Sequence, residues 1–120
     1  MKNIIVLFEV KPTEEGMKRY LELAAGLKHL LDGFEGFVRA ERFTSLNEKG
    51  KLLSMSIWTD ENAVTRWRNT QEHRMSQMEG RKELFESYRI TVCYEIRSYT
   101  DTERDDAPED SNRYLIEGEN

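Results

Sequence analysis

Residues 52–74 read LLSMSIWTDENAVTRWRNTQEHR and decide how the rest of the chain is arranged. Residues 52–58 have the two-residue period of an apolar β-strand, in which Leu53, Met55 and Ile57 share one face and the other four residues share the other. Thr59 and Asp60 then provide good helix N-cap residues, and Ala63, Val64 and Trp67 fall on one helical face. The stretch therefore predicts a strand that leads directly into an amphipathic helix.

A pocket is expected where this strand and this helix meet. Trp58 and Trp67 provide flat walls and indole N–H donors, and Ser54 adds a hydroxyl on the same strand face as Trp58. Histidine has an unperturbed pKa of about 6.5, so His73 is a candidate base near neutral pH. These four residues are the predicted site. A structural interpretation stays open, because tryptophans at such spacings often fill a core and His73 can be a cap or packing residue.

The other elements follow from the same two periodicities. We expect a strand over residues 3–11, a helix that starts at Thr13 and is stopped by Gly33, and strands over residues 37–45 and 51–58 joined by a hairpin loop. The helix from Asp60 is expected to break or bend near residues 69–70, a second helical piece is expected to run to about Phe85, and a last strand covers residues 88–96. The order β-α-β-β-α-β predicts a ferredoxin-like α+β domain with a four-stranded antiparallel sheet and both helices on one face.

The first strand is apolar on both faces. A sheet that helices cover on one side normally has a polar second face. One face carries four apolar residues and the other begins with two more: Ile4, Val6, Phe8 and Val10, and then Ile5 and Leu7. A second copy of the chain is the simplest cover for the second face, so we expect a homodimer.

Charge divides the chain into a domain, residues 1–99, and an acidic C-terminal tail, residues 100–120. The tail holds eight Asp or Glu and two Lys or Arg, a net charge of −6, whereas residues 1–99 have a net charge of +1. The composition predicts a mobile tail. Within it Tyr114, Leu115 and Ile116 form a short apolar segment, which either docks on a neighbouring surface or stays undocked. The sequence has no basic patch interleaved with aromatic residues, which argues against nucleic acid binding.

The sequence gives no sign of a membrane or secreted protein. No segment approaches about 20 apolar residues, and the apolar run at the N-terminus ends at Glu9 without a cleavage site. Cys93 is the one cysteine, so no internal disulfide can form, and metal-type cysteine spacing is absent. We expect a cytoplasmic protein in which Cys93 is a packed or surface residue.

Residues 2–99 resemble the antibiotic biosynthesis monooxygenase family. The resemblance lies in the strand that ends at Trp58, the acidic helix start at residues 60–63, Trp67, His73 with Arg74, and residues 85–92 of the last strand. It implies a homodimer in which two sheets pack face to face into an α+β barrel, with a pocket between sheet and helices in each subunit. It also implies a small aromatic or quinol-like ligand, because some members oxygenate anthrones or quinols without metal or flavin.

The chain departs from both characterised branches of that family. Ser54 stands where anthrone-oxidising members have Asn, and Val64 stands where they have an aromatic residue. Gln77 stands where the haem-degrading branch places its axial His, and Phe8 and Glu9 occupy the region of that branch's Asn. Glutamine is a poor haem ligand, so haem is disfavoured as a cofactor and we expect none.

Three functions fit these residues. The first is a cofactor-independent monooxygenase that acts on an aromatic or quinol-like molecule through Trp58, Trp67, His73 and Ser54. The second is a protein that binds or degrades haem. The third is a non-catalytic dimer that binds a small apolar ligand.

Overall fold

The computed structural model describes residues 2–76 and 84–119, with side chains for residues 2–71 and 84–115. Its elements, in chain order, are β1 (Ile4–Pro12), α1 (Met17–Leu31), β2 (Phe37–Thr44), β3 (Leu52–Trp58), α2 (Glu61–Ser76), β4 (Phe85–Tyr94) and α3 (Glu109–Glu119). Among the described residues, no helix combines the length and the apolar character that crossing a bilayer requires.

The four strands form one antiparallel sheet in the order β2-β3-β1-β4. This is the ferredoxin-like arrangement that the sequence predicts, with β1 and β3 at the centre and β2 and β4 at the edges. The hairpin of β2 and β3 places Arg42 opposite Ser54, and β1 places Phe8 opposite Ser54 on the other side. These pairings fix which side chains share a face of the sheet.

The core lies on the face of the sheet that carries Trp58. Ile4 and Trp58 from the sheet pack there with Leu27 of α1 and with Ala63 and Trp67 of α2, and all five are buried. On the opposite face the central strands keep apolar side chains that remain partly exposed, namely Ile5, Leu7, Leu53 and Met55. The two-sided apolar character expected from the sequence is therefore a feature of the folded chain.

Two helix boundaries differ from the sequence-based prediction. The α1 helix begins at Met17, because the Thr13 hydroxyl accepts the Gly16 N–H at 2.8 Å and forms a separate turn before the helix. The α2 helix is continuous to Ser76, so of the break or bend expected at residues 69–70 the break is wrong. At that point the Thr70 hydroxyl donates to the Arg66 carbonyl at 2.9 Å, a polar contact that a helix accommodates.

Two segments near the C-terminus also differ. Phe85 was expected at the end of a helix but begins β4, where it pairs with Pro12 of β1. The tail was expected to be mobile, yet residues 109–119 form α3. Composition reports average hydrophobicity, and it does not detect the specific polar contacts that order this segment.

Gly36 lies just before β2 and packs against the start of α2, where there is no room for a side chain. Its φ is +88°, its carbonyl accepts the Thr59 N–H at 2.8 Å, and a Cβ built there would overlap the Cβ of Ala63. Gly33 has a similar φ of +78°, but a Cβ built there meets open space.

Replacing Gly36 by Ala should lower the free energy of unfolding by about 3 kcal/mol, because left-handed strain and overpacking against Ala63 add together. The control Gly33→Ala carries the strain alone and should cost about 1–2 kcal/mol. Urea unfolding followed by circular dichroism measures both. Equal losses in the two variants would show that the contact between Gly36 and Ala63 is not tight.

Candidate functional site

Two indole rings and two phenylalanine rings pack at the end of the sheet where β3 ends. This tryptophan cluster consists of Phe34, Phe37, Trp58 and Trp67. The ring centroids of Trp58 and Trp67 are 5.9 Å apart, and Phe34 lies 5.9 Å from Trp58 and 5.3 Å from Trp67. The Asp60 carboxylate positions the helix by accepting the Ala63 N–H at 2.8 Å, which is the N-cap expected from the sequence.

The indole N–H of Trp58 is engaged inside the chain. Trp58 is fully buried, and its Nε1–H donates to the Ser56 hydroxyl at 2.8 Å. A ligand that used this donor would have to break the bond to Ser56. In this conformation Trp58 therefore serves as a wall of the site.

A second aromatic group, the tyrosine cluster, lies at the other end of the same face and contains Phe8, Tyr20, Phe85 and Tyr88. Phe85 contacts Phe8, Tyr20 and Tyr88 with centroid distances of 6.2, 5.6 and 6.1 Å. Burial raises the pKa of the Tyr20 phenol, and the positive charge of Arg42 partly offsets that rise. Tyr20 therefore stays protonated at neutral pH and keeps a proton to donate.

Between the two clusters the central strands are not fully covered by the helices. The floor of this central cleft consists of four half-buried residues on the helix-facing side of β1 and β3: Val6, Phe8, Ser54 and Ser56. The middle of a sheet under two helices is normally sealed, as Val10 and Trp58 are in this chain. Aromatic walls and a hydroxyl floor suit a small, flat, apolar molecule with one polar edge.

The structure brings together some of the predicted site residues and separates others. Trp58 and Trp67 are in contact, as expected. Ser54 is four residues from Trp58, or about 13 Å along the strand, and lies opposite Phe8 of the tyrosine cluster. His73 belongs to α2 by its backbone, but its side chain lies outside the described part of the chain.

Tyr20 and Arg42 were not among the residues predicted for the site. Arg42 pairs with Ser54 across the hairpin, and its charge acts on the phenol of Tyr20. The position of Arg42 could have been predicted from the sequence, because the hairpin loop that ends at Gly50 fixes which residues of β2 and β3 face each other. Tyr20 follows the pattern of a core residue, and only its packing reveals the neighbouring charge.

Metal ligation finds no support in the described side chains, among which no three His, Cys, Asp or Glu residues are grouped to hold an ion. Gln77, at the position where haem-degrading relatives have their axial histidine, lies outside the described residues.

Comparison with known proteins assigns the family. The sequence profile described as "Antibiotic biosynthesis monooxygenase" matches residues 3–77, more than half of the chain. The chain belongs to the antibiotic biosynthesis monooxygenase family. A curated relative from Pyricularia oryzae, named "Jasmonate monooxygenase ABM", is 38% identical over 87 residues. That match covers 72% of this chain and 40% of the relative, so the chain spans less than half of the relative's length.

Solved structures share the fold of this monooxygenase-family chain at low identity. Rv0793 from Mycobacterium tuberculosis has a TM-score of 0.69 at 14% identity and covers 82% of this chain and 99% of its own. SnoaB from Streptomyces nogalater, described as a cofactor-independent oxygenase, has a TM-score of 0.65 at 14% identity and covers 86% of this chain and all of its own. These likenesses confirm the ferredoxin-like α+β fold.

The bond between Trp58 and Ser56 can be tested through stability. Replacing Ser56 by Ala should lower the free energy of unfolding by about 1–3 kcal/mol, because a buried indole N–H loses its acceptor. The neighbouring variant Ser54→Ala removes a hydroxyl from the same strand face and should cost less than about 0.5 kcal/mol. Thermal unfolding of both variants gives the comparison, and equal stability would mean that the indole N–H does not depend on Ser56.

Proposed function

We propose that this chain is a monooxygenase that oxidises an aromatic or quinol-like small molecule in the central cleft, without metal or flavin. The observation that carries the proposal is the partly buried floor at Ser54 and Ser56, which lies between two aromatic clusters on the helix-covered face. Membership in the antibiotic biosynthesis monooxygenase family supports the reaction class. The cofactor-independent oxygenase SnoaB, which shares the fold, supports the absence of a cofactor.

An anthrone illustrates the chemistry that the proposal requires. A base removes a proton from the ring methylene, and the resulting carbanion gives its electrons to dioxygen and forms a carbon–oxygen bond. Loss of the second proton and cleavage of the O–O bond leave a ketone, and the other oxygen atom leaves as water. The substrate supplies every electron, so the protein has to orient the ring, move protons and stabilise the oxyanion.

The described residues have complementary roles in this scheme. Trp58 and Trp67 form the wall at one end of the cleft, and the tyrosine cluster forms the wall at the other. Ser54 and the protonated phenol of Tyr20 are hydrogen-bond donors for a substrate oxygen, and the positive charge of Arg42 favours the anionic form of that oxygen. His73 is proposed as the base, because α2 continues past Trp67 to its position.

The proposed enzyme is a homodimer. Ile5, Leu7, Leu53 and Met55 remain partly exposed on the face opposite the helices, and Phe43 at the edge is 40% exposed. Two such sheets packed face to face would bury these side chains and form an α+β barrel.

Replacing His73 by Ala should lower the turnover of an anthrone or a naphthohydroquinone at least tenfold. The physical reason is loss of the proton acceptor in the step that generates the carbanion or phenolate. In the unchanged protein, kcat should rise with pH until the base is deprotonated, because a base must be deprotonated to act. Oxygen consumption across a pH series measures both quantities.

The matched control for that experiment is His29→Ala, which removes the other histidine from the exposed surface of α1. The control should keep the turnover and the pH profile of the unchanged protein. Unchanged rates in the His73→Ala protein would remove this residue from the mechanism, and an unchanged pH profile would assign the inflection to another group.

Jasmonate is a second candidate substrate, and the 38% identity to the jasmonate monooxygenase favours it. Jasmonate is a small alicyclic carboxylate, so its ring would occupy the apolar part of the cleft and its carboxylate would pair with Arg42. Hydroxylation of such a molecule consumes two electrons from an external donor, whereas an anthrone needs none. The two substrates therefore make different demands on the same residues.

Ligand titrations that follow the fluorescence of the two tryptophans separate these candidates. If jasmonate is the ligand, Arg42→Gln should weaken its binding at least tenfold, because a charge-assisted pair is worth about 1.5–3 kcal/mol. The same variant should change anthrone binding less than threefold, and Arg39→Gln on the other face of β2 should change neither. If jasmonate does not change the tryptophan fluorescence of the unchanged protein, jasmonate is excluded as the ligand.

A further inference from the structure

The helix-facing side of the edge strand β4 carries an apolar row that the described part of the chain leaves largely exposed. Five alternating residues form this β4 strip, four in β4 and one just after its end, with exposed fractions between 53% and 69%: Tyr88, Ile90, Val92, Tyr94 and Ile96. Large apolar side chains in a row on an edge strand are unusual in a monomer, because they invite association.

The segment that follows the β4 strip is ordered by its own polar contacts. Arg104 is at the centre of this C-terminal arm, residues 98–119, and donates to the Asn112 side chain at 2.7 Å, to the Ser111 hydroxyl at 2.7 Å and to the Thr100 carbonyl at 2.9 Å. Its guanidinium also lies 5.1 Å from the ring centroid of Tyr99. These contacts hold the start of α3 against residues 99–104.

The arm presents apolar side chains that the described part of the chain leaves exposed in part or for the most part. Tyr114 is 77% exposed and Leu115 is 40% exposed on α3. Within the described residues, the hydrogen bonds and ring contacts of residues 98–115 stay inside the arm. The arm is therefore structured and projects from the domain.

The size of the exposed surface indicates what is missing. The chain exposes 9187 Å², whereas a compact monomer of this mass exposes about 6,800 Å². Its radius of gyration is 17.6 Å, against about 13.5 Å for a compact domain of this length. The excess of about 2,400 Å² exceeds the roughly 800 Å² per partner of a standard interface.

We propose that the C-terminal arm of one copy packs α3 against the β4 strip of a second copy. A second copy has both halves of the contact, so two equivalent contacts form and the assembly closes without further association. The arm has a net charge of −6 and the domain a net charge of +1, which favours placing the arm on another copy's domain and keeps arms apart. The Arg104 contacts hold the start of α3 within its own arm.

The contact also bears on the central cleft, and this part rests on the proposed function. Ile90 and Val92 pair directly with Phe8 and Val6, which belong to the cleft floor. An arm packed on the β4 strip would wall the open side of the partner's cleft. The second copy would then contribute to the site in each subunit.

Cysteine cross-linking tests the contact in the full-length chain. In a Cys93→Ser background, Val92→Cys and Leu115→Cys are combined in one chain and treated with a short bismaleimide. The proposal predicts a covalent product with twice the 14.2 kDa mass of the chain. The control chain combines Leu115→Cys with Thr44→Cys on the opposite edge strand, and it should give little of this product.

Each other outcome overturns the proposal. A single chain bridged between its own two cysteines would show that the arm folds back on its own domain. Absence of any bridge would show that the arm touches neither strip, and equal yields in the control would show random collision.

A second measurement needs no cysteine. Leu115→Asp should raise the dissociation constant of the dimer at least tenfold in sedimentation velocity, whereas Arg113→Asp should change it less than threefold. Arg113→Asp alters the charge by more than Leu115→Asp, so an effect of charge alone would be larger in the control. An unaffected dimer in Leu115→Asp would show that the dimer forms through the sheet face without the arm.

A cross-linked protein without turnover would support the arm contact and refute the proposed function.

Discussion

The structure depends on a sheet whose central strands are apolar on both faces. Ile4 and Val10 of β1 are buried on the helix side, and Ile5 and Leu7 stay partly exposed on the other side. Two helices can cover only one face of a four-stranded sheet, and within the described part of the chain the second face is only partly covered. The proposed dimer follows from that constraint.

The candidate site lies on the face of this sheet that the helices cover. Because the tryptophan cluster fills one end of the helix-covered face and the tyrosine cluster fills the other, the space between them is left with a partly polar floor at Ser54 and Ser56. The buried indole of Trp58 is tied to Ser56, which makes that wall rigid. The groups best placed for chemistry therefore lie toward the tyrosine cluster, where Arg42 is opposite Ser54 and its charge acts on Tyr20.

Much of the fold could be predicted from the sequence, because periodicity and turn residues report local structure. The strand that ends at Trp58, the cap at Asp60 and the left-handed glycine at Gly33 were all predicted, and the structure confirms them. The predictions failed where one side chain changes the local outcome: Thr13 closes a turn before α1, Phe85 pairs with Pro12, and Arg104 orders a tail that composition describes as mobile. In the site, Trp58 and Trp67 could be placed together, but the position of Arg42 beside Tyr20 depends on how a helix lies across a hairpin.

Sedimentation equilibrium of the full-length chain at micromolar concentration tests the central claim most directly. The open apolar face of the sheet predicts a particle of twice the 14.2 kDa chain mass, because such a face is not stable in water. A particle with the mass of one chain across that concentration range would contradict it.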